Sequence, residues 1–140
     1  MKPKIPFRIG YQYDNWELDV ITLPDRIPEN SLYISYLWVG NETKMFLNFP
    51  PHRTELIFYW DILNTVILTF LDRDIEYYYK ILNALETKFG QSEVLKNKRA
   101  IINKYKTKNI EYWCIYKLRT ITIQYGISQT MSRIYNTLLC

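Results

Sequence analysis

The sequence predicts an α+β fold with a large, mostly antiparallel sheet of about seven to eight strands in a meander, one long helix packed on a face and a short C-terminal helix. Three observations carry this. Apolar residues alternate with polar ones through most of the chain, the period changes to a helical one at Asp72, and aromatic residues make up 16% of the sequence. Aromatic and β-branched side chains suit the half-buried pleated surface of a sheet, so the 13 Tyr, 6 Phe and 4 Trp point to strands first.

Taken in order, Trp16–Leu23 reads as a strand, with Glu17 and Asp19 alternating against Trp16, Leu18 and Val20. Ser31–Val39 is apolar on both faces and reads as a strand covered on both sides. Gly40-Asn41 has the residue types of a two-residue hairpin turn, which makes Lys44–Phe49 the returning strand. Glu55–Trp60 and Thr65–Leu71 form two more strands joined by an Asp61–Asn64 turn, completing a five-strand meander.

Ile75, Tyr78, Leu82, Leu85 and Phe89 recur at steps of three and four, which places them along one side of a helix started by Asp72 or Asp74 and ended by Gly90. A polar loop follows. Arg99–Tyr105, Ile110–Lys117 and Arg119–Tyr125 read as three further strands, the last two joined by a very tight turn near Leu118. Ile127, Met131, Ile134 and Leu138 then repeat at helical spacing with Ser128 as N-cap.

At 140 residues the chain is expected to be one domain, residues 1–140, with no internal repeat and no linker. Lys2, Lys4 and Arg8 are followed by no apolar run of signal-peptide length, and Ile62–Leu71 is far short of the ~20 residues a bilayer span needs. Cys114 and Cys140 lack the spacing of a disulfide framework or zinc site, so a reducing cytoplasm is the expected compartment. The two edges of such a sheet and an apolar C-terminal helix are compatible with a homodimer.

Enzymatic chemistry finds few candidate groups. The one histidine, His52, stands in a Pro-Pro-His-Arg turn and reads as solvated. Cys114 alternates with Ile110, Tyr112 and Tyr116 and reads as a packed thiol rather than a nucleophile. Asp72-Arg73-Asp74 resembles a cation-holding acidic triplet, but helix capping accounts for it more simply. The four glycines are scattered singly, so no phosphate loop is formed, and no catalytic residue, metal or cofactor is expected.

Charge is distributed unevenly. Residues 1–60 carry six Lys or Arg against seven acids, whereas residues 61–140 carry twelve against seven. Between Lys88 and Arg119, nine basic residues face only Glu93 and Glu111. Within that stretch Lys96, Lys98, Arg99, Lys104, Lys106, Lys108, Lys117 and Arg119, interleaved with aromatic residues, are the candidates for contacting a nucleic-acid backbone.

Strand Val66-Ile67-Leu68-Thr69-Phe70, helix Tyr78–Leu85 and the close Lys88-Phe89-Gly90 resemble small bacterial α+β proteins found beside toxin genes as immunity proteins. The resemblance spans Val66–Ser92, about a fifth of the chain, and is a pattern of strand, helix and terminating glycine. It implies a non-catalytic protein-binding module that neutralises a partner toxin. Many nuclease-neutralising immunity proteins are acidic, whereas this chain is basic, with a net charge of +4. The expected anchors for a protein partner are Tyr11, Tyr13, Tyr33, Trp38, Trp60, Tyr112 and Trp113, because Trp and Tyr offer large contact area at low entropy cost. Nucleic-acid binding through the basic, aromatic C-terminal strands is the alternative.

Overall fold

The computed structural model describes residues 4–42 and 44–138, the last four of these in backbone only. Among them are eight strands: β1 (Val20–Thr22), β2 (Tyr33–Trp38), β3 (Arg53–Tyr59), β4 (Ile62–Phe70), β5 (Glu93–Lys96), β6 (Ile101–Lys106), β7 (Glu111–Lys117) and β8 (Thr120–Gly126). Helix α1 (Ile75–Phe89) follows β4, and helix α2 (Ser128–Leu138) follows β8. The strands form one open sheet in the order β1-β2-β3-β4-β8-β7-β6-β5, antiparallel throughout. The α+β class and the strand number agree with the sequence. The topology is two four-strand meanders joined at β4 and β8.

Helix α1 starts where Asp74 accepts a 2.9 Å hydrogen bond from the Tyr77 N–H, and it ends at Gly90, whose φ of +88° suits a residue without a β-carbon. Asp72 instead pairs with Arg119, Nε to Oδ1 3.0 Å. Tyr78, Ile81, Leu82 and Leu85 are buried, joining Leu56, Phe58, Val66, Leu68, Phe70, Tyr105, Tyr112, Cys114, Ile121, Ile123 and Tyr125 in the main core. Each such side chain contributes on the order of 1.5–3 kcal/mol by leaving water. The Tyr78 hydroxyl is satisfied inside this core by the Cys114 carbonyl and the Asn103 side-chain oxygen, both at 2.8 Å.

The opposite face is covered by α2 and by the β1–β2 connection, where Ile27, Ile57, Ile67 and Ile134 form a second cluster. Glu55 is buried on this face, and the Arg26 guanidinium grips its carboxylate through Nη2 at 2.7 and 2.9 Å. A bidentate pair of this kind holds the connecting loop in one orientation. The side chain of Leu138 and all of Cys140 lie outside the described residues. Among the described residues no helix is long and apolar enough to cross a membrane.

Four boundaries differ from expectation. Only Val20–Thr22 of Trp16–Leu23 is a strand, because Tyr13–Asn15 and Glu17–Asp19 form 3-10 turns that bring Trp16 and Val20 onto the same core, leaving Leu18 93% exposed. The Gly40-Asn41 hairpin does not form, since β2 pairs with β3. Gly40 lies under the Trp38 indole, where a β-carbon would strike the ring. Lys44–Phe49 is a tight turn around the Phe46–Phe49 bridge, with Leu47 and Asn48 at φ +49° and +73°, and it drives Phe46 and Leu47 into the core. The β3–β4 turn falls at Trp60-Asp61 rather than at Asp61–Asn64, and Asn64 is a bulge within β4. Finally, the polar loop after α1 contains β5, an edge strand whose four residues are all exposed.

Burial pushes the phenols of Tyr36, Tyr78, Tyr105, Tyr112 and Tyr125 above their ordinary value of 10.0, and the Cys114 thiol above 9.0. These groups ionise more readily in the unfolded chain, so the stability they contribute is intact below the unfolded values and is lost as pH rises past them. Stability should therefore hold to about pH 8 and fall steeply above about pH 9–10. Urea melts across this range, with tyrosinate absorbance at 295 nm, should show most of the phenolate appearing together with unfolding.

Candidate functional site

The seven aromatic candidates divide by burial. Tyr112 and Trp113 are buried, at 7% and 3% exposure. Tyr112 stacks between Phe89 and Tyr125, with ring centroids at 4.5 and 5.3 Å. Trp113 lies on the other face under the Lys104 ammonium, 4.1 Å from its ring, and donates to Glu111 at 3.0 Å. Adjacent strand residues point to opposite faces, so this pair supplies one side chain to each core layer. The area of both is already used within the fold.

Tyr13, Tyr33 and Trp38 are half-buried in packing roles. Tyr13 stacks on Tyr36 at 4.9 Å and meets Phe58 edge-on at 5.4 Å. Tyr33 lies 4.7 Å from Tyr59, with its hydroxyl 3.2 Å from Thr130 Oγ1. The Trp38 indole donates to the Glu42 carbonyl at 3.2 Å and packs on Phe7.

Trp60 differs from the other six. It occupies the first central position of the two-residue β3–β4 turn at φ +51°, followed by Asp61 at φ +61°, and it is 68% exposed. Such turns favour Asn and Gly, and a bulky residue in this region costs roughly 1–2 kcal/mol. Leu118 in the β7–β8 turn shares this conformation, at φ +49° and 85% exposed, so what sets the β3–β4 turn apart is that its exposed residue is a Trp with a cleft on either side.

The tip that carries Trp60 is braced from beneath. At this end β8 departs at Gly126, where a β-carbon would strike the Asn64 carbonyl oxygen, and residues 10–13 take its place beside the start of β4. Gly10 donates to the Leu63 carbonyl at 2.8 Å, Leu63 to Tyr11 at 2.8 Å and Tyr13 to Asp61 at 2.7 Å. The segment is anchored by Tyr125, whose hydroxyl donates to the Phe7 carbonyl at 2.8 Å and accepts from the Phe7 N–H at 3.2 Å. Tyr11, 44% exposed, stacks on Trp16 at 6.2 Å beneath the Arg8 guanidinium.

Two clefts flank Trp60. One, about 370 Å³, is lined by Gln12, Tyr13, Asp14, Trp60, Asp61 and Ile62. The other, about 340 Å³, is bordered by Ile9, Gly10, Tyr59, Trp60, Ile62, Leu63, Asn64 and Ile127. Trp60 is thus a wall shared by a polar and an apolar recess. Its partners Asp61 and Asp14 and its apolar neighbour Ile9 were missed by sequence reasoning. The available signal was the dipeptide Trp60-Asp61 between two apolar runs, which fits a two-residue hairpin loop.

The eight basic candidates do not form one stripe. Lys98 and Arg99 occupy the β5–β6 connection, and at the same end of the sheet Lys117 ends β7 and Arg119 lies in the β7–β8 turn. Lys96, the last residue of edge strand β5 and paired with Ile101, lies at that end too, whereas Lys106 and Lys108 belong to the opposite end and Lys104 to the face bearing Trp113. Arg119 is engaged with Asp72.

Residues read as chemically quiet have clear structural roles. His52 is exposed, and its Nδ1 accepts from the Leu71 N–H at 2.9 Å. It borders a cleft of about 440 Å³ with Trp38, Lys44, Arg53 and Leu71. Cys114 is fully buried, and burial raises its thiol well above neutral pH. Comparison of the chain with protein families, with curated proteins and with solved structures returned no match.

If Trp60 is held out of the core, replacing it should not harm folding. Trp60→Gly, which removes the left-handed penalty, is expected to leave the urea midpoint unchanged or to raise stability by about 0.5–1 kcal/mol. A loss above about 1 kcal/mol would mean that the indole serves the fold.

Proposed function

We propose that this chain is a non-catalytic protein-binding module, of the kind that an immunity protein uses to neutralise a toxin, and that the Trp60 tip is its contact surface. The observation that carries this reading is an exposed tryptophan in a left-handed turn conformation, mounted on backbone hydrogen bonds from residues 10–13. Binding energy at protein interfaces concentrates in a few Trp, Tyr and Arg side chains, ringed by contacts that exclude water once the partner docks. Trp60 and Tyr11 on the bracing segment offer exposed aromatic area of that kind, and the two clefts beside Trp60 offer room for partner side chains. A braced tip also loses little conformational freedom on binding, which favours affinity.

Electrostatics lends less support to the nucleic-acid alternative. Five of its eight candidate cations gather at one end of the sheet, where Arg119 is paired with Asp72, while two lie at the opposite end and one on a face, and Trp113 and Tyr112, which would stack on bases, are buried. The test is capture from a lysate of the native host on immobilised wild-type protein and on Trp60→Ala. The expected result is a protein retained by the wild type, lost with the variant and able to re-form the complex when purified. Recovery of nucleic acid alone, or of proteins indifferent to the substitution, would contradict the proposal.

A further inference from the structure

The polar cleft beside Trp60 has a chemistry more specific than a general contact surface. It is lined by Trp60, Tyr13, Gln12 and Ile62 together with two acidic residues, Asp14 and Asp61. Neither carboxylate is engaged in an ion pair among the described residues, although the chain as a whole is basic at +4. The negative field extends inward as well. The Tyr36 phenol is pushed up chiefly by burial and then by Tyr13, with Asp61 and Asp25 adding to the effect. A recess of about 370 Å³ accommodates one or two side chains.

Resting on the protein-binding reading, we propose that this cleft receives the guanidinium group of an arginine presented by the partner, stacked on Trp60 and hydrogen-bonded to Asp14 and Asp61. Arginine fits better than lysine. Its planar group stacks on aromatic faces, and its fork of N–H donors can address two carboxylates at once, whereas an ammonium is a compact, strongly hydrated point charge. The chain already uses such stacking, with the Arg73 guanidinium 4.8 Å from the Tyr77 ring centroid. The neighbouring apolar recess, bordered by Ile9, Tyr59 and Ile127, would then take an aliphatic residue next to the arginine. The predicted occupant is therefore an exposed basic-apolar segment of a protein. Ion pairs at an exposed site are individually weak, so the arginine supplies specificity and Trp60 supplies most of the contact area.

The test uses the full-length, ¹⁵N-labelled protein and four pentapeptides with blocked ends: Ser-Arg-Leu-Arg-Ser and its lysine, glutamate and citrulline counterparts. Citrulline keeps the shape of arginine without the charge. The indole N–H resonance of Trp60, identified by its absence in Trp60→Phe, should shift saturably with the arginine peptide. The response should be weaker with lysine and absent with citrulline and glutamate. Asp14→Asn/Asp61→Asn should abolish the shift while leaving the rest of the spectrum in place, since Asn is itself well tolerated in left-handed turn positions. For a purified Trp60-dependent partner, the same double substitution should weaken binding on the order of tenfold at low salt and less at high salt. An indole that ignores the arginine peptide, or answers citrulline equally, overturns the proposal. A partner that needs Trp60 but binds the double variant unchanged overturns the arginine assignment and leaves the protein-binding reading standing.

Discussion

The pairing of β4 with β8 is the constraint on which the rest of this structure depends. Thr65–Phe70 lies antiparallel to Ile121–Gly126, and without that seam the molecule would be two separate four-strand meanders. Side chains from the two strands supply the centre of the core on the α1 face, through Val66, Leu68, Phe70, Ile121, Ile123 and Tyr125. On the other face Ile67 and the fully buried Gln124, opposite each other in the register, lie beneath α2, whose Met131 carbonyl accepts from the Gln124 amide at 2.9 Å. The seam ends where Gly126 meets the bulged Asn64: Ile127 makes one last bond in register, its N–H to the Asn64 carbonyl, and α2 begins at the next residue. The departure of β8 opens the position that residues 10–13 occupy. The Trp60 tip follows from how the central pair terminates.

Aromatic content therefore has two explanations in one chain. Tyr78, Tyr105, Tyr112 and Tyr125 are core residues whose hydroxyls either find internal partners, as in the Tyr125–Phe7 clasp, or are kept protonated by burial. Most of the 16% aromatic fraction is sheet packing of this kind. Trp60 and Tyr11 are the exceptions among the seven candidate anchors, and they meet at the same braced end of the molecule. Candidate surfaces in strand-rich proteins are better sought where an aromatic residue carries a backbone penalty than where aromatics are simply numerous.

Much of the fold was legible because periodicity reports burial. The α1 positions and the β7–β8 turn at Leu118-Arg119 are direct readings of this kind, whereas the apolar residues of β2, expected to be covered on both sides, are only half-buried, and Ser35 is the buried residue of that strand. The failures occur where burial and period part company. β5 is exposed on both sides and so has no alternation to read. Trp16 and Val20 reach one core through consecutive 3-10 turns that mimic a strand pattern in sequence. Gly40 has the composition of a hairpin turn, yet its missing β-carbon makes room for the Trp38 indole. The candidate site was only partly visible, because Trp60 could be chosen by residue type while Asp14 and Asp61 become its neighbours only through the bracing of residues 10–13.

A preformed tip is the central physical claim, and native-state hydrogen exchange of the isolated protein measures it directly. The amides of Gly10, Tyr13 and Leu63, which donate to Leu63, Asp61 and Tyr11, should be protected to a degree comparable with the amides of β4 and β8. Exchange of those three at the rate of unstructured chain, with the central strands still protected, would contradict it.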